Sequence, residues 1–176
     1  MGTNTLTPPS PKVAMQDMIM HVSLKMAQTA SMLVPPLYIL TSIVRRNPAK
    51  PFTISRLMRV STVGVVAGGA VGAGMGYMRL ANEPEAAVLD RTERLAANRT
   101  QVRTDDYSLI GAALSGLLVP AVLLKRAPLP YLVLGGASIG LGLGVWTHLV
   151  KSYGEGEDVR PEGMVGEIPV IGGNDK

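Results

Sequence analysis

The stretch Val60 to Met78, VSTVGVVAGGAVGAGMGYM, lies between Arg59 and Arg79 and holds no charged residue. As a helix it rises about 28 Å, close to the roughly 30 Å hydrocarbon thickness of a bilayer. Gly64, Gly68, Gly72 and Gly76 recur every four residues along it, with Gly69 and Gly74 beside them. In water each interior glycine weakens a helix by up to about 1 kcal/mol. In lipid the backbone has no water to bond, so helix is its only open solution. Residues four apart share a face, and the glycine row becomes a groove that another helix can approach closely.

Two further runs repeat the pattern. Tyr107 to Leu124 lies between Asp106 and Lys125 and carries Gly111-xxx-Ser115 and Ala112-xxx-Gly116. Leu129 to Val150 follows the Ala127-Pro128 turn and carries Gly136, Gly140 and Gly144, with His148 at the next step. Composition agrees with a membrane class. Charged residues are 17% of the 176 and aromatics 4%, against 47% hydrophobic and 20 glycines. Soluble domains run nearer roughly 25% charged. Mean hydropathy is +0.25.

The first segment is more ambiguous. Thr29 to Val44 is apolar but short and interrupted by Pro35-Pro36, while upstream Asp17, His21 and Lys25 form one polar stripe of a helix. One reading is a helix from about Pro11, its first part at the interface or against a partner, which kinks at the prolines and then crosses. The other is a wholly interfacial segment, leaving three spans. An internal echo favours four. Arg45-Arg46 with Pro48 and Phe52, and Lys125-Arg126 with Pro128 and Tyr131, each follow a span and precede a glycine-rich one. The expectation is an all-α membrane protein of four transmembrane helices arranged as two glycine-rich hairpins. The spans are about 29–45, 60–78, 107–124 and 129–150, within a membrane domain 13–151. An extended segment 1–12 precedes it and a flexible acidic tail 152–176 follows.

Charge sets the orientation. The first hairpin loop has Arg45, Arg46, Lys50, Arg56 and Arg59 without an acid, and the second has Lys125 and Arg126 without one. Both loops belong on the cytoplasmic or matrix side, with the termini opposite; a three-span chain would split its termini. Arg45, Arg46, Arg56, Arg59, Lys125 and Arg126 read as interfacial anchors able to bind anionic phospholipid headgroups such as cardiolipin. The middle connection reads as a water-exposed helix of about 83–99. Asn82 caps it, Asp90 pairs with Arg94, and Val88, Thr92 and Leu95 form an apolar stripe for a partner.

The chemistry is sparse. With no cysteine there is no disulfide, thiolate metal site or thiol nucleophile. His21 and His148 have no carboxylate at ligand spacing, so neither catalytic residues, metal nor cofactor are expected. A net charge of +4, concentrated at membrane flanks, gives no nucleic-acid footprint. Gly64, Gly68, Gly72, Gly76, Gly111, Ser115, Gly136, Gly140 and Gly144 are the expected helix-packing residues. A pore is the rival use of such grooves, but no charged group stands mid-span.

Two resemblances follow. Gly111 to Gly116, the turn Lys125-Arg126-Ala127-Pro128, and Gly135 to Gly144 resemble the second half of the Tim17/Tim22/Tim23 superfamily. That implies four glycine-laddered helices with both termini in the intermembrane space and a part in an inner-membrane protein translocase. The family's ladder has no counterpart in the first span. Met15-Gln16-Asp17 to His21, Arg45-Arg46 with the following prolines, Gly64 to Tyr77, and Val102-Arg103-Thr104-Asp105-Asp106-Tyr107-Ser108-Leu109-Ile110-Gly111 resemble the fungal-type, NUXM-like accessory subunits of mitochondrial complex I. This implies a non-catalytic protein of the mitochondrial inner membrane whose partners are membrane-arm subunits of that complex.

Overall fold

A computed structural model of the chain describes residues 10–45 and 52–155. They form five helices and no strand: α1 (Pro11–Arg45), α2 (Ile54–Leu80), α3 (Glu85–Ala97), α4 (Arg99–Leu123) and α5 (Leu129–Glu155). All but α3 are long and apolar enough to cross a membrane. The chain is therefore a multi-pass, all-helical membrane protein of two hairpins, α1 with α2 and α4 with α5. Its outer surface suits lipid: Leu37, Leu40, Val66, Met78, Leu117, Val122 and Val150 are exposed.

In the first hairpin the glycine row of α2 lies against α1. A Cβ built on Gly64 would stand 2.9 Å from the Val34 methyls, and one on Gly68 2.8 Å from Ala30 Cβ and the Met26 carbonyl oxygen. One on Gly72 would meet the Val22 carbonyl oxygen at 2.7 Å, and one on Gly76 would touch Ile19 and Val22 at 3.4 Å. The α1 residues that fill the groove step back four at a time, so two antiparallel helices meet row on row. One ladder is enough for a hairpin whose other face carries side chains, which explains why span 1 has none. Ser23 Oγ ties the pair by donating to the Gly69 carbonyl oxygen at 2.9 Å.

The second hairpin has glycine on both sides. Gly111 faces Gly140 and Gly144 so closely that a Cβ on any of the three would strike the other helix's backbone. Gly144 lies against Tyr107 and Ser108, and Gly140 against Ser115. Gly136 faces the Ser115 carbonyl oxygen and Val119, 2.7 and 2.8 Å from where its Cβ would be. Carbonyl oxygens this near a bare Cα form weak C–H···O bonds that lipid cannot replace. All nine residues read as packing positions thus face a helix of the same chain.

Helix α5 holds the hairpins together. Half of its most apolar stretch is buried, against 17% for the other spans, which makes it the central helix. Two glycines outside the ladder account for this: Gly135 abuts Met58 of α2, and Gly142 abuts Ser31 of α1. The α1 contact is tied to the proline pair. Pro35 has no N–H for the Ser31 carbonyl four residues back, and that carbonyl oxygen lies 2.7 Å from where a Gly142 Cβ would be. Ser31 Oγ also donates to the Ser138 carbonyl oxygen. Helix α1 continues through both prolines, because α5 occupies the gap that they open.

Several local expectations are corrected. The charge-free part of α1 runs from Met26 to Val44, again about 28 Å, within one continuous helix. The N-terminal turns of α1 pack on their own chain: Ala14, Leu80 and Val88 form a buried cluster flanked by Met15, Met18, Ile19 and Leu89. The apolar stripe of α3 rests there, with Thr92 Oγ1 3.5 Å from the Ala14 carbonyl oxygen. Helix α3 starts after Pro84 in extended conformation, not after Asn82. The Glu83 carboxylate instead reaches Arg91 at 2.7 Å, and Arg94 pairs with Asp90. Helix α5 runs on to Glu155, beyond the expected boundary at 151; the remaining tail and residues 1–9 lie outside the described residues.

The contrast between facing and open glycines is testable. Gly140→Leu forces a side chain into the Gly111 backbone and should cost about 3 kcal/mol or more. Gly74 has nothing within 4 Å of its Cβ position, so Gly74→Leu should stay within about 0.5 kcal/mol. Thermal melting in detergent, followed by helical circular dichroism, compares the two. Equal melting would contradict the packing described.

Candidate functional site

All thirteen acidic residues fall at one end of the bundle or in the segment after α5. Between Asp17 and Glu83, and between Asp106 and Glu155, there is none. The opposite end carries only cations. Arg56 and Arg59 on the first turns of α2, and Lys125 and Arg126 in the α4–α5 turn, are all exposed. They share one end because Met58 sits against Gly135 near the start of α5. Arg45 closes α1 at the same end, its side chain outside the described residues, as is Arg46. Four exposed cations in two adjacent turns at the edge of the hydrocarbon are placed to meet lipid phosphates.

The acidic end holds a polar cluster. His21, Lys25 and Gln28 lie on one face of α1, at successive four- and three-residue steps. They meet Asp105 and Ser108 of α4. Lys25 Nζ donates to Asp105 Oδ1 at 2.6 Å. Gln28 Nε2 donates to the same oxygen at 2.7 Å and to Ser108 Oγ at 2.8 Å. Ser108 Oγ in turn lies 2.8 Å from the Asp105 carbonyl oxygen, and His21 Nδ1 stands 3.8 Å from Asp105 Oδ2. Gln28 and Ser108 are buried, while the Lys25 and Asp105 side chains keep 26% and 19% exposure. Asp17, from the same stripe, is exposed and stands outside the network.

These contacts join the two hairpins where their backbones do not. Helices α1 and α4 approach each other little along their lengths, and long side chains reach across the gap. Short charge-assisted bonds at a membrane interface are stronger than the same bonds in water, since less solvent competes. Beside them, the Tyr107 ring packs at a 40° tilt against His148 with ring centroids 5.4 Å apart, and Lys151 Nζ lies 3.2 Å from the Tyr107 hydroxyl. Among the described residues no three His, Asp or Glu side chains converge as a metal site would need. The carboxylate beside His21 is Asp105, some eighty residues away, and not Asp17 one turn before it, so no local spacing reveals the pair. The available signal was a polar stripe on one apolar helix and an acid pair at the mouth of another.

The network predicts a coupled response. Lys25→Met leaves Asp105 without its cation, and Asp105→Leu leaves Lys25 without its anion. Each should destabilise the bundle by about 2 kcal/mol, less than the roughly 3–5 kcal/mol of fully buried pairs because both groups keep some exposure. The double variant should recover at least about half of the summed loss. Additive losses in detergent melting would contradict the pairing. Comparison with curated proteins and with solved structures finds no match. Residues 7–150 match the profile of a family described as protein of unknown function (DUF1757), and since this covers most of the sequence the chain belongs to that family.

Proposed function

We propose that the chain is a non-catalytic accessory subunit of the membrane arm of mitochondrial NADH:ubiquinone oxidoreductase, serving its assembly and stability in the inner membrane. The observation that carries this reading is the outer face of α2. The ladder of α2 is used up within the hairpin, yet Ala67, Ala70 and Gly74 form a second small-residue row that faces outward. A small-residue face turned away from its own bundle suits the transmembrane helix of a neighbouring subunit. The polar side chains gathered at the acidic end bond to one another, as a structural clasp does. The resemblance of Met15 to His21 and Val102 to Gly111 to NUXM-like subunits supports the same assignment.

The basic end then faces the matrix, and the end carrying Pro11 and Glu155 faces the intermembrane space. A translocase component is less well supported, because α1 and α4 fill the glycine grooves that a passing substrate would need.

Native gel electrophoresis in mild detergent, with mass spectrometry of the band, tests the proposal. The protein should co-migrate with membrane-arm subunits. Gly74→Leu, which leaves the fold intact, should lower its share in that band by about fivefold, equivalent to about 1 kcal/mol of contact energy. Migration with translocase subunits, or cross-linking to a translocating chain, would favour the rival reading. Protease added outside mitoplasts should cut near α3 and spare the α4–α5 turn.

A further inference from the structure

The gap spanned by Lys25 and Gln28 continues as a cavity of about 290 Å³ between α1, α4 and α5. Its lining is graded along the membrane normal. Toward the acidic end stand Lys25, Gln28, Asn98, Thr100 and Gln101, while the innermost residues of α1 and α5 are Met32 and Val145. Lys25 to Met32 covers about 10 Å of depth, so the polar part lies at headgroup level and the apolar part among acyl chains. Lys25 is the charged residue of the lining; Asp105, its ion-pair partner at 2.6 Å, stands just behind it and outside the lining.

We propose that this cavity binds the phosphate of a phospholipid, with the first methylenes of an acyl chain against Met32 and Val145. Lys25 has three N–H donors and gives one to Asp105. Asn98, 6% exposed, spends its side-chain oxygen on the Gln101 N–H at 3.2 Å. Its backbone oxygen takes the N–H groups of Gln101 and Val102, while the amides of Arg99 and Thr100, which open α4, precede any acceptor within the helix. Gln28, Thr29 and Thr104 spend their donors within the protein, so those offered at the polar end come from Lys25, from the side chains of Asn98, Thr100 and Gln101, and from a helix start that carries partial positive charge. His148, 3% exposed, closes the wall. The volume is just under the roughly 300–1,000 Å³ of pockets that enclose whole small molecules. It suits a headgroup and the start of a chain, with the remainder in the bilayer. This site lies at the opposite end from the arginines of α2 and does not depend on which complex the protein joins.

Native mass spectrometry of the full chain, released from detergent after titration with dioleoylphosphatidylglycerol, tests the site. An Arg56→Gln/Arg59→Gln background reduces the contribution of the basic end. One lipid should be retained per chain, while dioleoylglycerol, which has the same chains and no phosphate, should not be. Gln101→Glu puts a negative charge into the lining and should weaken retention about tenfold. Met32→Trp fills the apolar end and should do the same. Circular dichroism on both variants should match the parent. Unchanged retention in Gln101→Glu, or equal retention of dioleoylglycerol, would overturn the proposal. Inorganic phosphate that displaces the lipid at equal concentration would show a free-anion site and overturn the lipid assignment.

Discussion

The architecture depends on close backbone approach to one helix from three sides. Helix α5 presents Gly136, Gly140 and Gly144 to α4, Gly135 to α2 and Gly142 to α1. In water such a helix would be held by the hydrophobic effect acting on large side chains. In lipid that drive vanishes, and van der Waals contact between near-bare backbones takes over. Contact of this kind falls off steeply with distance, so each glycine contributes only while its neighbours keep the helices together. Removal of one by a larger side chain therefore loosens a row rather than a point.

The clasp of Lys25, Gln28, Asp105 and Ser108 plays a different part. Glycine contacts set how near two helices lie but discriminate poorly between registers, because a four-residue slip brings another small residue into place. A charged pair has only one satisfied alignment. Slipping α1 against α4 by a turn would set His21 or Thr29 against Asp105 in place of Lys25 and break both Gln28 bonds. The ladders thus set distance and the clasp sets register, which is why a mostly apolar bundle keeps ionisable groups so near its hydrocarbon edge.

Much of the fold was legible in the sequence for reasons of solvent. Charge-free runs bounded by Arg59 and Arg79, Asp106 and Lys125, or Pro128 and Lys151 admit no structure but helix, and the four-residue glycine period marks which face packs. Two things were not legible. The mate of each ladder could be found only in three dimensions, since a groove carries no mark of what fills it. The clasp was hidden because its halves belong to different hairpins, and each half alone looks like an interfacial polar residue. Pro35 was read as a kink. The sequence does not say that Gly142 lies opposite the carbonyl that this proline frees.

The segregation of charge has an electrical consequence. With cations alone at one end, and carboxylates offset by as many Lys and Arg at the other, the described bundle carries its net positive charge on one side of the insulating layer. An energised membrane adds about 2.3 kcal/mol per elementary charge per 100 mV to one orientation over its reverse. When the compartment at the arginine end is negative, the voltage reinforces the insertion that the flanking charges select, and inversion becomes harder as the membrane polarises.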